Sequence, residues 1–575
     1  MRAARPRPIV RWASLLIVFA MVLVACDAVA ESTTTVSEQP TTTDVPGTVT
    51  TQPPECPDAF CVRYHIHPDA AWADGTPVTS TDFEFTLETI TDTVLEIPST
   101  TRAGYGLITG YEIVDDKTFL AIFGEVYAPW KNLFQVVLPA HELEGKDFDS
   151  VWDEGITLGS GPFAFSEWIS DERIVLTRNP NYWASRDRAS GAALGDVQTV
   201  DIDFLAGTEA QVRALRNEEI DMFYPEPQIS LVEEVTSMSG VTSESGMGRI
   251  WEQIDFNHDD PLLSQEFIRE TIAMAIDREA VMNQVVRPMT ADAVPLGNTV
   301  WMVETPYYED HFSRFSFDAA SAEQLLIDNG CLRGEDGIYV CQGQRLSFRW
   351  ATTAGIEGRE ALFDLAQASL AVVGIEVTAD FGPATRVFAN EFIYGDSSVW
   401  QILNFAWVGA PEPSGRNTVY YCEGAAPSGF GDLNVNRYCN DEVESLVRQA
   451  ESETDEEVRA GLYNQADSIY LDDVASIPLY QKPTFFAWNE LITGPQDNPT
   501  RTGPFWNIAT WSGKEEVIFG ADQEPESLNS LLLDESLFVV DLITTAVLEG
   551  AFTVAPDYTY VPQLIESYEV IVSEE

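Results

Sequence analysis

Positive charge is what this sequence has least of. Its 32 Lys and Arg stand against 92 Asp and Glu, a formal net charge of −60. A surface so balanced repels phosphate backbones and anionic headgroups. That excludes nucleic acid and acidic membranes as partners and reads as a solubilising shell. Histidine is scarce too, 5 in 575 residues. His65 and His67 share one strand face, but no third ligand accompanies them, and there is no C-x-x-C and no H-E-x-x-H. No metal site is indicated. A G-x-S-x-G elbow and a P-loop are also missing; Gly159-Ser160-Gly161 precedes a strand, where a phosphate loop needs a helix. Carboxylate pairs in a chain this acidic say nothing about glycosidase chemistry. No catalytic residue and no cofactor are assigned, and a secreted hydrolase is the weakest functional alternative.

What is present begins at the N-terminus. Arg2, Arg5, Arg7 and Arg11 precede an apolar run, residues 13–25, that is too short to span a bilayer comfortably. The run ends in Leu23-Val24-Ala25-Cys26, which resembles a bacterial lipobox. That resemblance implies a signal peptide over residues 1–25 and lipidation of Cys26. The expected location is the cell envelope, anchored on the outer face of the cytoplasmic membrane. Residues 26–55 are rich in Thr, Pro, Ser and Glu without periodicity, and read as a disordered tether. Hydrophobic residues make up 45% of the chain, enough for a large core. Six further cysteines in an exported chain point to disulfides. Sequence-local pairing is the simplest connectivity: Cys56 with Cys61, Cys331 with Cys341, and Cys422 with Cys439.

The folded body opens with a strand at Arg63 to His67, a turn at Asp74-Gly75-Thr76-Pro77, and N-cap oxygens at Thr79 to Asp82 starting a helix. A hairpin with Asp115-Asp116 at its tip follows. From Asn257 the character turns helical, with stripes at 266–286, 319–329, 360–373, 441–451 and 456–471. Strands are expected at 375–377, 404–407 and 477–480.

Several of these segments together resemble the extracellular solute-binding proteins of ABC importers, in the oligopeptide and dipeptide (family 5) class. They include Trp72-Ala73-Asp74-Gly75-Thr76-Pro77, Gly159-Ser160-Gly161-Pro162-Phe163, Arg178-Asn179-Pro180-Asn181-Tyr182-Trp183, Ala275-Ile276-Asp277-Arg278, Phe405-Ala406-Trp407-Val408-Gly409 and Ile477-Pro478-Leu479-Tyr480. The resemblance implies an α/β, two-lobed periplasmic-binding-protein-like type II fold, with a hinge and an extra subdomain in lobe I. Lobe I would comprise residues 56–256, return over 477–514 and include 515–575; lobe II would be residues 257–476. Function would be capture of oligopeptides or a related small solute between the lobes, for delivery to the permease and ATPase subunits of an importer, by a monomer without chemistry of its own. A peptide-sensing lipoprotein without transport is the alternative. Trp407 and Gly409 are expected in the cleft. Peptide-binding relatives place an Asp just after this Trp to pair with the ligand's amino group; here the nearest carboxylate is Glu412.

Residues 516–575 resemble the beginning of the same family. Ser527, Leu528 and Asn529 match a loop that lines the cleft in relatives, and the strand near 565–572 matches the partner of the strand at 62–67. Either the chain is circularly permuted, so that its two ends pair, or a truncated second copy begins here.

Overall fold

The computed structural model describes residues 56–573, except 96, 98–100, 103, 410, 425 and 533–537. The signal peptide, Cys26 and the tether lie outside the described residues. Among the described residues no helix is long and apolar enough to cross a membrane.

Phe60–Ile66 is a strand because its apolar residues meet a core on one side and two neighbours along both edges. One neighbour is Thr118–Phe123, joined to Ile108–Asp115 by the turn at Asp115 and Asp116. The other is Ile565–Val572, antiparallel, with Cys61 opposite Ile571 and Tyr64 opposite Tyr568. The opening strand therefore finds its expected partner at the far end of the chain. After the turn, the Thr79 backbone N–H donates to the Asp82 carboxylate at 2.8 Å, and helix Ser80–Thr91 starts from that capping box.

A second, seven-stranded sheet lies in the same lobe. Glu516–Ala521 occupies its middle, parallel to Thr199–Phe204 on one side and Met222–Phe223 on the other. Helix Phe538–Val547 covers this sheet, and its Val540, Leu542, Ile543 and Ala546 are fully buried. The last segment of the chain is thus inside the first lobe's cores.

The other lobe is built on a five-stranded sheet, with Met247–Phe256 between Ile402–Val408 and Ser476–Pro483. Its core draws on residues from Trp251 to Tyr480 alone. Sheet membership corrects the expected boundaries. Met247–Phe256 belongs to this second lobe and so does Ser476–Pro483, placing the crossings between Glu244 and Met247 and between Pro483 and Phe486. Gly246 stands in the first crossing and Pro483 at the second, each between strands that continue almost unbroken from lobe to lobe. Hydrogen bonds join the two: Ser245 Oγ donates to the Thr484 carbonyl at 2.9 Å, and the Thr484 N–H to the Gly246 carbonyl at 2.9 Å. A second correction concerns the expected helix over 266–286. It breaks after Glu266–Ala275, because Asp277 accepts from the Ala280 N–H at 2.9 Å and caps a new turn.

The six expected cysteines lie in their three sequence-local pairs at disulfide distance, with Cα–Cα separations of 5.7, 4.3 and 4.8 Å.

Deep in the second lobe, Asp255 is buried and accepts from Gln253 Nε2 at 2.6 Å and Asn436 Nδ2 at 3.2 Å. Burial pushes its carboxyl from 3.8 up to about 7. The folded pKa thus lies above the unfolded one. The folded state holds a proton that the unfolded state releases, so this group's stabilisation is complete below 3.8 and is lost as pH rises to about 7. Asp255→Asn should therefore gain in melting temperature relative to the parent as pH rises through that window and show a constant difference above it. Differential scanning fluorimetry across the window checks this; a difference independent of pH would remove Asp255 as the titrating group.

Candidate functional site

The site is best built from two adjacent strands of the second lobe. Met247–Phe256 and Ile402–Val408 run antiparallel with Trp251 opposite Trp407. One step further, the Gly409 N–H donates to the Arg249 carbonyl at 2.6 Å. A Cβ at Gly409 would come within 2.9 Å of that carbonyl and 3.1 Å of Met302, so the close approach requires glycine. The Arg416 guanidinium lies over both indoles, 5.0 Å from each ring centroid, and donates to the Thr299 carbonyl at 2.6 Å. Trp407 itself is only 2% exposed. Behind it, Glu412 is buried and forms an ion pair with Arg459 at 3.2 Å. The nearest carboxylate to the Trp407 segment already has a cation of its own.

The other predicted group sits in a different core. Leu528 is fully buried beside Phe148 and Trp152, and its N–H points to the Trp152 carbonyl at 3.4 Å. Asn529 Nδ2 donates to the Phe148 carbonyl at 3.1 Å, and the Asn529 N–H donates to Ser527 Oγ at 3.2 Å. Glu524 fastens the loop further by accepting from Trp168 Nε1 at 2.8 Å. Ser527 to Asn529 thus belong to the seven-stranded sheet's core and Trp407 to the second lobe's core.

Between the lobes, near the crossings, lie groups that sequence reasoning did not single out. Arg249 projects from the second lobe, half-buried; burial and the Arg501 charge depress its pKa, while Asp541, Tyr558 and Tyr224 of the first lobe counteract. Arg501 and Asp541 form a two-point pair, 3.0 Å in each contact. Asp497 accepts from the Thr484 hydroxyl and faces Tyr224; burial raises its pKa. Tyr558 hangs from the turn between Phe552–Val554 and Tyr560–Pro562 with a φ of 66°. Left-handed backbone is uncommon for a bulky residue and clusters at functional positions. Among the described residues, ion pairs tie the lobes together at Lys482 with Glu226 and at Lys131 with Glu456, the latter at 3.4 Å. Lys131 also lies 5.3 Å from the Tyr568 ring centroid. The one signal the sequence held for Arg249 is an arginine between Gly248 and Ile250 in a chain poor in cations.

The His67 ring lies 5.0 Å from that of Trp183, tilted by 45°, and His65 lies 3.9 Å from Glu569. Their strand face is taken up by such contacts.

A model of the bacterial extracellular solute-binding proteins, family 5 Middle, matches residues 45–427. The oligopeptide-binding protein OppA of Mycobacterium bovis is 26% identical over 433 residues, covering 73% of this chain and 69% of that protein. Among solved structures, the periplasmic EDTA-binding protein EppA superposes with a TM-score of 0.66 at 20% identity, covering 79% of this chain and 85% of that one. The oligopeptide-binding protein AppA of Bacillus subtilis, in complex with a nonapeptide, gives 0.58 at 20% identity, over 80% and 88%. These likenesses show a two-lobed fold.

Proposed function

Since the chain belongs to the bacterial extracellular solute-binding proteins of family 5, we propose that it captures an oligopeptide or related small solute between its lobes and delivers it to an ABC importer. Members of this family bind substrates and are not enzymes. The observation that carries the reading is the set of polar side chains from both lobes meeting beside two strand crossings. Closure there strips water from a ligand and lets fixed donors and acceptors hold it. The oligopeptide-binding relative supports the peptide class. Cys26 would carry the lipid that keeps the receptor at the membrane. Trp407 and Gly409 would line the second lobe's wall, and Ser527, Leu528 and Asn529 would brace the first lobe's; Glu412 acts there through Arg459.

We also read residues 516–573 as completing the first lobe, in a circularly permuted order, rather than as opening a second copy. The pairing of Phe60–Ile66 with Ile565–Val572 supports this.

Native mass spectrometry of the protein purified from Cys56 onward tests the ligand class. A co-purifying peptide is the expected result; a sugar or a metal chelate in its place would sink the peptide reading.

A further inference from the structure

Lys131 is a buried cation whose surroundings come from both lobes. It sits in the short 3-10 turn Trp130–Asn132, and Trp130 belongs to a first-lobe core with Leu133 and Phe134. The Lys131 side chain is 5% exposed. Its ammonium lies 5.6 Å from the Trp130 ring centroid and 5.3 Å from that of Tyr568. Those two rings meet edge to face at 4.8 Å, and Phe552 backs both, at 5.7 and 5.6 Å. Asn132 accepts from the Tyr560 hydroxyl at 2.7 Å, which fastens the turn to the final segment of the chain. From this aromatic cage Nζ donates to Glu456 Oε1 at 3.4 Å. Glu456 opens the helix Glu456–Asp472, which packs through Ala460 and Tyr463 into the second lobe's core.

A lysine held this way is steered twice. The ring faces attract its ammonium and its stem packs along them, so the charge is aimed before the other lobe arrives. On the facing lobe, Asp455, Glu456 and Glu457 follow one another at a helix start, where the dipole favours acids. Acids outnumber cations in both lobes, so the lobes repel as they approach, and a cation at their meeting point offsets that repulsion. Parting the lobes takes an anionic neighbour from an ammonium seated among aromatic rings, which is costly. The pair of Lys482 with Glu226 is placed differently. Lys482 stands one residue before Pro483, at the second crossing, and turns with the hinge. Lys131 and Glu456 are carried by the bodies of the two lobes and separate when the lobes do. We infer that Lys131 is a clasp: caged by Trp130 and Tyr568 of the first lobe, it holds the lobes shut through Glu456 of the second. The clasp is independent of which solute the cleft takes. Half of its cage, Tyr568, belongs to the strand Ile565–Val572, so the rearranged end of the chain takes part in closure.

Small-angle X-ray scattering of the purified full chain, with no solute added, tests this beside thermal melts. The parent is expected to scatter as the lobe-closed structure does. Lys131→Met keeps an apolar stem against the rings and removes the charge; Glu456→Gln removes the charge from the other lobe. Each should shift the closed–open equilibrium toward open by about tenfold, the scale of one charge-assisted hydrogen bond, and raise the radius of gyration. The double variant should open no further than either single one, since both remove the same contact. Should Lys131→Met melt early, Glu456→Gln, whose side chain is 24% exposed, carries the decision. A lower melting temperature with an unchanged radius would make Lys131 a support of the first lobe alone and overturn the clasp. So would opening in Lys131→Met but not in Glu456→Gln, or a parent whose scattering fits separated lobes.

Discussion

A chain ended at Glu515 should have no cooperatively folded first lobe. The expectation follows from where Glu516–Ala521 sits. It lies between Thr199–Phe204 and Met222–Phe223, in parallel register from Glu516 opposite Thr199 to Ala521 opposite Phe204. Removing it splits a seven-stranded sheet and leaves two new edges with unpaired N–H and C=O groups. Helix Phe538–Val547 goes too, with six buried apolar side chains, Val539, Val540, Leu542, Ile543, Ala546 and Val547. At roughly 1–3 kcal/mol for each such side chain, the loss is on the order of 10 kcal/mol, against a whole-domain stability of about 5–15 kcal/mol. The strand beside Phe60–Ile66 is lost as well. Circular dichroism melts and size-exclusion chromatography of the truncated protein check this. A monomer that melts at the full chain's temperature would show that residues 516–575 are an appendage and would end the reading of one rearranged body.

The second large effect is expected at Arg359. Its Nη2 donates to Glu252 Oε1 at 2.9 Å and its Nε to both oxygens at 3.0 and 3.1 Å, while Nη1 donates to the Thr353 hydroxyl at 2.5 Å. Asn404 Nδ2 adds a further donor to Glu252 at 3.1 Å. Both charged side chains are buried, 6% and 1% exposed. Arg359→Met leaves a carboxylate in an apolar interior with one amide donor. Breaking a buried pair in this way costs about 3–5 kcal/mol. For a lobe of this size that corresponds to a fall of roughly 6–20 °C in melting temperature. Adding Glu252→Gln should recover much of the fall, because the orphaned charge and not the lost attraction is what destabilises. If the double variant melts lower than Arg359→Met alone, the account of an uncompensated charge is wrong.

Elements with strong local chemistry were readable in advance. The Asp115-Asp116 hairpin tip, the Thr79 and Asp82 capping box, the stripe that became Glu357–Val372 and the three cysteine pairs all follow from residues within a few positions of one another. The pairing of Ile565–Val572 with Phe60–Ile66 was readable for another reason: a strand with an apolar face and no local partner demands one elsewhere. The crossings were not readable. Gly246 and Pro483 stand at the crossings, but a lone Gly or Pro between two strands does not tell a passage between lobes from any other strand end, so the expected boundary falls at Asn257 and not near Ser245. The cleft was the least legible part. That Glu412 is paired, and that Asp541 of the other lobe reaches Arg249, depends on side chains far off in sequence. Tyr558 owes its position to a backbone conformation for which an aromatic residue is not the usual signal.

The unequal distribution of the two lobes along the chain also dictates an order of assembly. Every core residue of the second lobe falls within one continuous stretch, Trp251 to Tyr480. A chain emerging N-terminus first has all of that lobe's contacts available before its final segment appears. The first lobe does not. Its cores join Phe60 and Leu138 to Ile565 and Leu548, so it waits with an open sheet until the last strand arrives, and loop closure over such separations is slow. The half-built first lobe is therefore the species at risk from proteases and aggregation. Tyr558 and Asp541 come in that last segment, so the face of the first lobe nearest the crossings is complete only when synthesis is all but finished.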